Sequence, residues 1–398
     1  MDELNEIISS PELLLARAKL QSQNVSNAVD RLFHFDSFKK DEKWQQAFLA
    51  AMQETISAQH CHYDFYRGLM RLSRFELASL SSFDAIADIP YITSGVLKNY
   101  HFASSAKHQP VLTVSSSGTT GQKAQISIDE VSLMRIVAGI LKVYGEFGLA
   151  SEQAANYLFA GYSPMAANGA GTAGTDMVVS LLTPQLSSFY VLDLNADGST
   201  VFLKDQAVQQ LRQFVQQGAP VRMLGFLHYV CEIVKAYHQQ YGMLNLPPDS
   251  YILSGGGWKE FARHYGADFD LYAYLAQFSN IKPSSVRDSY SLVEHPVLYV
   301  ACEKNHLHVS ALAHVLIRDV KTMAVLPHGQ TGLVQLFTPI LQSYPSASLL
   351  TTDLASLEQH CACGRVGDYL KIEGRGGSKK PMTCALNAEQ YMAGAPHA

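Results

Sequence analysis

The sequence predicts a layered α/β fold: a helical N-terminal region, a middle in which strands alternate with helices, and a β-rich last part. Three patterns carry the prediction. Between Glu42 and Glu76, apolar residues such as Phe48, Met52, Ile56, Leu69 and Leu72 recur at the three-to-four spacing of one helix face, without Pro or Gly before Gly68. From Ile89 and Pro90 the chain switches to short β-prone runs, NYLFAGY, SFYVLDL, VRMLGF and SYILSGG. These are separated by helix-like stretches such as Asp205 to Gln217, which Gly218 is suited to cap. Crossovers of that kind usually join parallel strands. From Val297 the runs VLYVA, HVLIRD, GLVQLF and YLKIEG come closer together, with turn residues between them, which predicts antiparallel pairing.

Composition narrows the class of function. A chain of 398 residues, 47% hydrophobic and 16% charged, can bury a sizeable core and has the balance of a soluble globular protein. A net charge of −5 without long single-sign blocks gives no footprint for nucleic acid or an anionic membrane. The acidic opening MDELNEIISSPELLLARAKL does not read as a signal peptide, and apolar runs such as Val309 to Ile317 are interrupted, there by His314, well short of a membrane span. The expected location is the cytoplasm. Six cysteines, at 61, 231, 302, 361, 363 and 384, are too unevenly placed for a disulfide framework. Cys61 and Cys231, in helix-like apolar surroundings, read as inert core residues.

The most informative segment follows the β-prone VLTV. Ser115, Ser116, Ser117, Gly118, Thr119, Thr120, Gly121, Gln122 and Lys123 place five hydroxyls, two glycines and an ammonium in nine residues. Such a loop can bend closely round an anion and offer it backbone N–H groups, hydroxyls and a cation, so phosphate is the expected ligand. It is not a Walker A loop, since Gly118 and Gly121 are three apart and Ala124 follows Lys123. Ser127 and Glu130 have the spacing of a capping box and are expected to start a helix running to about Phe147.

The order of the loop resembles the phosphate-loop signature of the adenylate-forming superfamily, and four later segments resemble its further motifs in the required order. These are Ser254 to Lys259 (SGGGWK), Asp288 to Glu294 (DSYSLVE), Thr351-Thr352-Asp353, and Ile372 to Arg375 (IEGR). The branch it is most similar to is that of the acyl-protein synthetases, with phenylacetate-CoA ligases next. The resemblance implies an adenylate-forming core over residues 85–375, made of layered α/β subdomains and a β-rich subdomain, behind a helical region 1–84. Residues 376–398 stand where the superfamily's small mobile domain would follow, so its carboxylate-contacting lysine is expected to be missing or replaced by Lys259, Lys379 or Lys380. The implied function is ATP-dependent activation of a fatty or aromatic acid as an acyl-adenylate, with transfer to a thiol. That thiol is the protein's own cysteine, CoA or the phosphopantetheine of a carrier protein. Two alternatives stay open: a nucleotide-binding scaffold without turnover, and an ATP-independent acyltransferase.

Residue by residue, the resemblance gives Ser116, Ser117, Gly118, Thr119, Thr120, Gly121 and Lys123 to the β- and γ-phosphates, and Gly255, Gly256 and Gly257 to the adenine. It gives Asp353 to the ribose, Glu294 to Mg²⁺ and the α-phosphate, and Tyr290 and Arg375 to the same nucleotide site. Tyr162, Gly225, Phe226 and His228 are candidates for the acid pocket. Cys384, beside Lys379 and Lys380, which favour its thiolate, is the candidate acyl carrier, and an acyl-accepting reductase or transferase the implied partner. Separately, Cys302, His308, Cys361 and Cys363 offer three thiols and an imidazole, a set that suits structural zinc. Free thiols are the other reading, and His306 could stand in for His308.

Overall fold

The computed structural model describes residues 26–99, 102, 109–115, 124–163, 183–195, 199–255 and 269–375. The chain forms two compact units, one built round a six-stranded sheet and the other round a largely parallel sheet.

In the first unit, helix α1 (Glu42–His62) buries Trp44, Phe48, Met52 and Ile56 to 1% exposure or less. Successive i, i+4 positions put these four side chains on one stripe, each worth about 1.5–3 kcal/mol when withdrawn from water. Asp41 caps the helix by accepting from the Trp44 N–H, and the Trp44 indole donates to Ala311 O at 2.9 Å. The helical pattern expected to run to Glu76 breaks at Tyr63, whose extended backbone separates α1 from α2 (Asp64–Leu72). A tertiary bond overrides the periodicity there, because the buried Tyr63 hydroxyl donates to Ser343 O at 2.6 Å. Cys61, expected in the core, is exposed near the end of α1.

Strand β1 (Ile92–Thr93) is short. β2 (Pro110–Ser115) and β3 (Gln125–Asp129) form an antiparallel hairpin in which Ser115 faces Gln125, and α3 (Glu130–Glu146) follows directly. Its capping differs from the Ser127/Glu130 box: Ser127 lies inside β3, and Asp129 accepts from the Ser132 N–H at 2.9 Å. The strand runs two residues further than the motif assumed, so the next carboxylate takes the cap.

In the second unit, β4 (Ala155–Tyr162), β5 (Gln185–Leu194), β6 (Thr200–Phe202), α4 (Lys204–Gln217), β7 (Val221–Gly225), α5 (Leu227–Tyr241) and β8 (Tyr251–Gly255) follow in order. β9 (Val286–Leu292) lies beside β8 and β10 (His295–Val300) at the edge of a sheet of order β10-β9-β8-β7-β4-β5-β6; the turn at Val293 and Glu294 between them, and β10 up to Tyr299, count with the first unit. The neighbours β5, β4, β7, β8 and β9 are all parallel, as the helical crossovers require. Gly218 ends α4 with φ 74°, the left-handed cap expected of it.

The other sheet has the order β11-β15-β14-β13-β12, from β11 (Leu307–His308), β12 (His314–Arg318), β13 (Gly332–Phe337), β14 (Ser348–Glu358) and β15 (Tyr369–Arg375). These five are antiparallel neighbours, and β1 joins β14 in parallel. Among the described residues no helix is long and apolar enough to cross a membrane.

Two buried histidines make stability pH-dependent. Burial pushes His228, at the start of α5, down to about 4. Burial, and then Lys40, push His314 down to about 3; its ring is packed by Phe48, Phe83 and Phe337. Below the ordinary value near 6.5 the unfolded chain takes up protons that the folded chain refuses, so stability is full above pH 6.5 and falls as pH drops toward 4. At pH 5 each histidine is expected to cost about 2 kcal/mol. Chemical-denaturation curves at pH 7.5 and pH 5 check this, and His228→Gln or His314→Gln should flatten the dependence.

Candidate functional site

The parallel sheet gathers several candidates at the carboxyl ends of its strands, where open α/β sheets bind ligands. Tyr162 ends β4, Gly225 ends β7, Gly255 ends β8, and Tyr290 lies near the end of β9. Gly225 pairs with Ala160 on one side and Ser254 on the other, and Gly255 pairs with Ser289. Gly225 has φ 117°, and a Cβ there would lie 2.6 Å from Ala160 O. Only glycine lets the chain turn from β7 into α5 against the β4 backbone. Phe226, buried, opens α5 with its N–H on Ala160 O at 2.8 Å. Tyr162 is half-buried, its hydroxyl 2.8 Å from Thr200 Oγ1, whereas His228 is 1% exposed and belongs to the core round Tyr229.

The start of the SGGGWK turn is braced from β9. Ser254 Oγ donates to Asp288 Oδ1 at 2.8 Å and Ser289 Oγ donates to Ser254 O at 2.7 Å. This fixes the backbone at Gly255. Gly256 and Gly257 lie outside the described residues, as do Ser116, Ser117, Gly118, Thr119, Thr120, Gly121, Lys123 and Cys384. The described hairpin β2–β3 ends at the pair Ser115 and Gln125.

In the first unit, Glu294 sits in the β9–β10 turn, 3% exposed, and with burial it raises the pKa of the Tyr344 hydroxyl. Asp353, also buried, lies on β14 opposite Arg375 of β15, with its N–H on Thr351 Oγ1 at 3.1 Å. The register slips between Leu354 and Ala355, opposite Gly374 with φ 157°, a bulge of the kind that re-aims side chains beside functional sites. The ladder thus brings together two residues, Asp353 and Arg375, that are 22 positions apart in the chain.

The cysteine and histidine candidates also converge. One ligand atom each from Cys302, His308, Cys361 and Cys363 lies within 4.8 Å of the others, and three of the four residues are buried. Tetrahedral zinc with bonds near 2.3 Å to sulfur sets its ligands about 3.8 Å apart, so a small contraction would close the site. Two tight turns present the thiols. Asn305 N–H bonds Cys302 O and Gly364 N–H bonds Cys361 O, with Asn305 (φ 59°) and Gly364 (φ 83°) left-handed. Lys304 N–H points at Cys302 Sγ and Arg365 N–H at Cys363 Sγ, both at 3.4 Å.

His306 is not one of the four. It stacks on Tyr369 at 4.2 Å and 6°, with Nδ1 3.0 Å from Cys361 Sγ, so that a proton on Nδ1 would be donated to that sulfur. Its partner His308 has Nε2 3.3 Å from Cys363 Sγ. Lys304 and Arg365 escaped the sequence reading, which weighed His306 only as a stand-in for His308. The signal available for them was the C-E-K-N turn, with Asn in the position that tolerates a left-handed backbone.

The fold resembles that of adenylate-forming enzymes. It superposes on 2-hydroxyisobutyryl-CoA ligase, both in the open conformation with 2-HIB-AMP and CoA (TM-score 0.59, 18% identity, 83% of this chain and 69% of that one) and in the postadenylation state (0.59, 17%, 85% and 69%). The chain belongs to the family Acyl-protein synthetase, LuxE, whose model matches residues 19–393. It is 23% identical over 308 residues to the long-chain-fatty-acid–luciferin-component ligase of Vibrio harveyi, covering 76% of this chain and 78% of that one. The ligase of the same description from Aliivibrio fischeri is 21% identical over 282 residues, covering 69% and 70%. The protein is therefore an AMP-forming acid–thiol ligase, which activates a carboxylic acid as the acyl-adenylate and transfers the acyl group to a thiol.

Proposed function

We propose that the acid is a long-chain fatty acid and that the first thiol to receive it is Cys384 of the protein itself. The observation that carries this reading is the kinship to two fatty-acid ligases, joined to a sheet whose carboxyl ends gather Tyr162, Gly225, Phe226 and Gly255. A carboxylate oxygen of the acid attacks the α-phosphorus of ATP, the bond to the β-phosphate breaks, and pyrophosphate leaves. Ser116, Thr119, Thr120 and Lys123, with the loop N–H groups of Ser117, Gly118 and Gly121, hold the β- and γ-phosphates. Gly255, Gly256 and Gly257 let the adenine lie against backbone, Tyr290 flanks it, and Asp353 and Arg375 hold the ribose side. Glu294 is a carboxylate suited to a hard cation, and Mg²⁺ bound there would neutralise charge on the phosphate oxygens. Catalysis of this kind is positioning plus preorganised electrostatics.

In the second step the thiolate sulfur of Cys384 attacks the acyl carbon, a C–S bond forms, and the C–O bond to AMP breaks with its electron pair on the phosphate. The thioester then serves an acyl-accepting reductase, transferase or carrier protein, and CoA is the competing acceptor. Cys302, His308, Cys361 and Cys363 would hold structural Zn²⁺, a three-thiolate and one-imidazole set. Among the described cysteines none is in a disulfide, which agrees with a cytoplasmic location.

Pyrophosphate release with saturated acids of graded chain length, against short-chain and aromatic acids, tests the substrate assignment. Release is expected to climb with chain length. Equal release with an aromatic acid, or none with any fatty acid, would sink it.

A further inference from the structure

Sulfurs gathered in one place repel each other once ionised, and burying that charge is costly unless a cation and hydrogen-bond donors surround it. In the cluster of Cys302, His308, Cys361 and Cys363 every sulfur receives an N–H. For Cys302 and Cys363 it is a backbone amide: that of the residue two places on, Lys304 or Arg365, folds back on the thiol at 3.4 Å. Cys361 Sγ is met instead by a side chain, His306 Nδ1 at 3.0 Å.

That imidazole is aimed by its neighbour. Its ring lies parallel to Tyr369, 4.2 Å away at 6°. Tyr369, itself buried, opens β15 and is fixed in the ladder opposite His308. A stacked ring keeps its in-plane edges for hydrogen bonding, and here the Nδ1 edge meets the sulfur. A sulfur at about 2.3 Å and a nitrogen at about 2.0–2.1 Å from one tetrahedral zinc lie about 3.6 Å apart. The 3.0 Å between His306 and Cys361 is too close for two such ligands and falls within hydrogen-bond reach. His308 is the imidazole that groups with the three sulfurs.

We propose that His306 is a positioning residue of the metal site: its Nδ1–H donates to the Cys361 thiolate, holds that sulfur toward the metal and draws off part of its charge. The inference rests on the reading of the four-residue cluster as a zinc site. Zn²⁺ with three thiolates and a neutral imidazole carries one excess negative charge, which the three N–H donors share. Groups that orient metal ligands in this way are worth about 10–100-fold in metal affinity.

Two single changes separate the hydrogen bond from the stack. His306→Phe keeps a ring on Tyr369 and removes the donor, whereas His306→Asn removes the ring and keeps an amide N–H near the place of Nδ1. His306 is half-buried, so neither change empties a core position. Competition of the full chain against a chromophoric chelator for Zn²⁺ should show affinity about 10–100-fold weaker in His306→Phe and within about threefold of the parent in His306→Asn. With Co²⁺ in place of Zn²⁺, the sulfur-to-cobalt charge-transfer band of His306→Phe should move to longer wavelength, because a thiolate without its donor holds its electrons less tightly. A merely structural role would leave that band in place. Parental affinity and an unmoved band in His306→Phe overturn the positioning role alone, as does an Asn variant weaker than the Phe variant, which would give the effect to the stack. Altered d–d bands in His306→Phe would make His306 a ligand and overturn it too. A parent chain that takes up neither Zn²⁺ nor Co²⁺ overturns the reading of the cluster and the proposal with it.

Discussion

Replacing Cys384 with alanine is expected to abolish hydroxylamine-labile acylation of the protein while one burst of pyrophosphate per chain persists. The other thiols are poor carriers. Cys231 is fully buried and burial, with Glu232, pushes its pKa up to about 12, so almost no thiolate forms at neutral pH. Cys302, Cys361 and Cys363 are gathered in the thiol–imidazole cluster, where a metal or each other's neighbourhood occupies them. That leaves Cys61, exposed near the end of α1, and the proposed carrier Cys384. Adenylation does not need the carrier thiol, so the first turnover survives; without an acceptor the adenylate then accumulates and steady turnover stops. Radiolabelled fatty acid with ATP, followed by gel autoradiography and rapid-quench pyrophosphate counts, reads both steps. Label retained on Cys384→Ala and lost from Cys61→Ser would move the carrier to Cys61.

What the residues announce is what local chemistry dictates. The β-prone runs, the helical crossovers and the Gly218 cap were legible because period, length and turn residues set them directly, and the parallel sheet followed from the crossovers. The Cys/His set was legible as a donor inventory, yet the choice between His306 and His308 was not. Both belong to one short stretch, and only pairing decides: β11 sets His308 opposite Tyr369 in the ladder, while His306 stacks on that tyrosine ring. The breaks in the pattern share one cause. Tyr63 interrupts a good helical stripe for a hydroxyl bond to a residue 280 positions away, and Asp129 displaces the Ser127 cap because β3 runs on. Ser343, in QSYPS, carries no motif at all; its bonds to Ser127, Asp129 and Tyr63 exist only once separate segments have folded together.

Disrupting the proposed zinc cluster is expected to destabilise the chain. Cys361→Ser removes one of four ligands and leaves the Nδ1 of His306 facing a hydroxyl in place of a thiolate. The purified protein is expected to carry one Zn²⁺ per chain, the variant well below that, with unfolding free energy reduced by about 3–5 kcal/mol. The argument is geometric. Cys361 and Cys363 lie in the connection between β14 and β15, and β14 carries Asp353 while β15 ends at Arg375. If the proposed zinc holds one end of the β14–β15 ladder, its removal is expected to loosen the end that carries Asp353 and Arg375, and chelation is expected to weaken ATP binding before it unfolds the chain. Elemental analysis, denaturant titration and nucleotide affinity with and without a strong chelator measure the three effects. A Cys361→Ser protein with unchanged metal content and unchanged unfolding midpoint would show that the four groups are only neighbours.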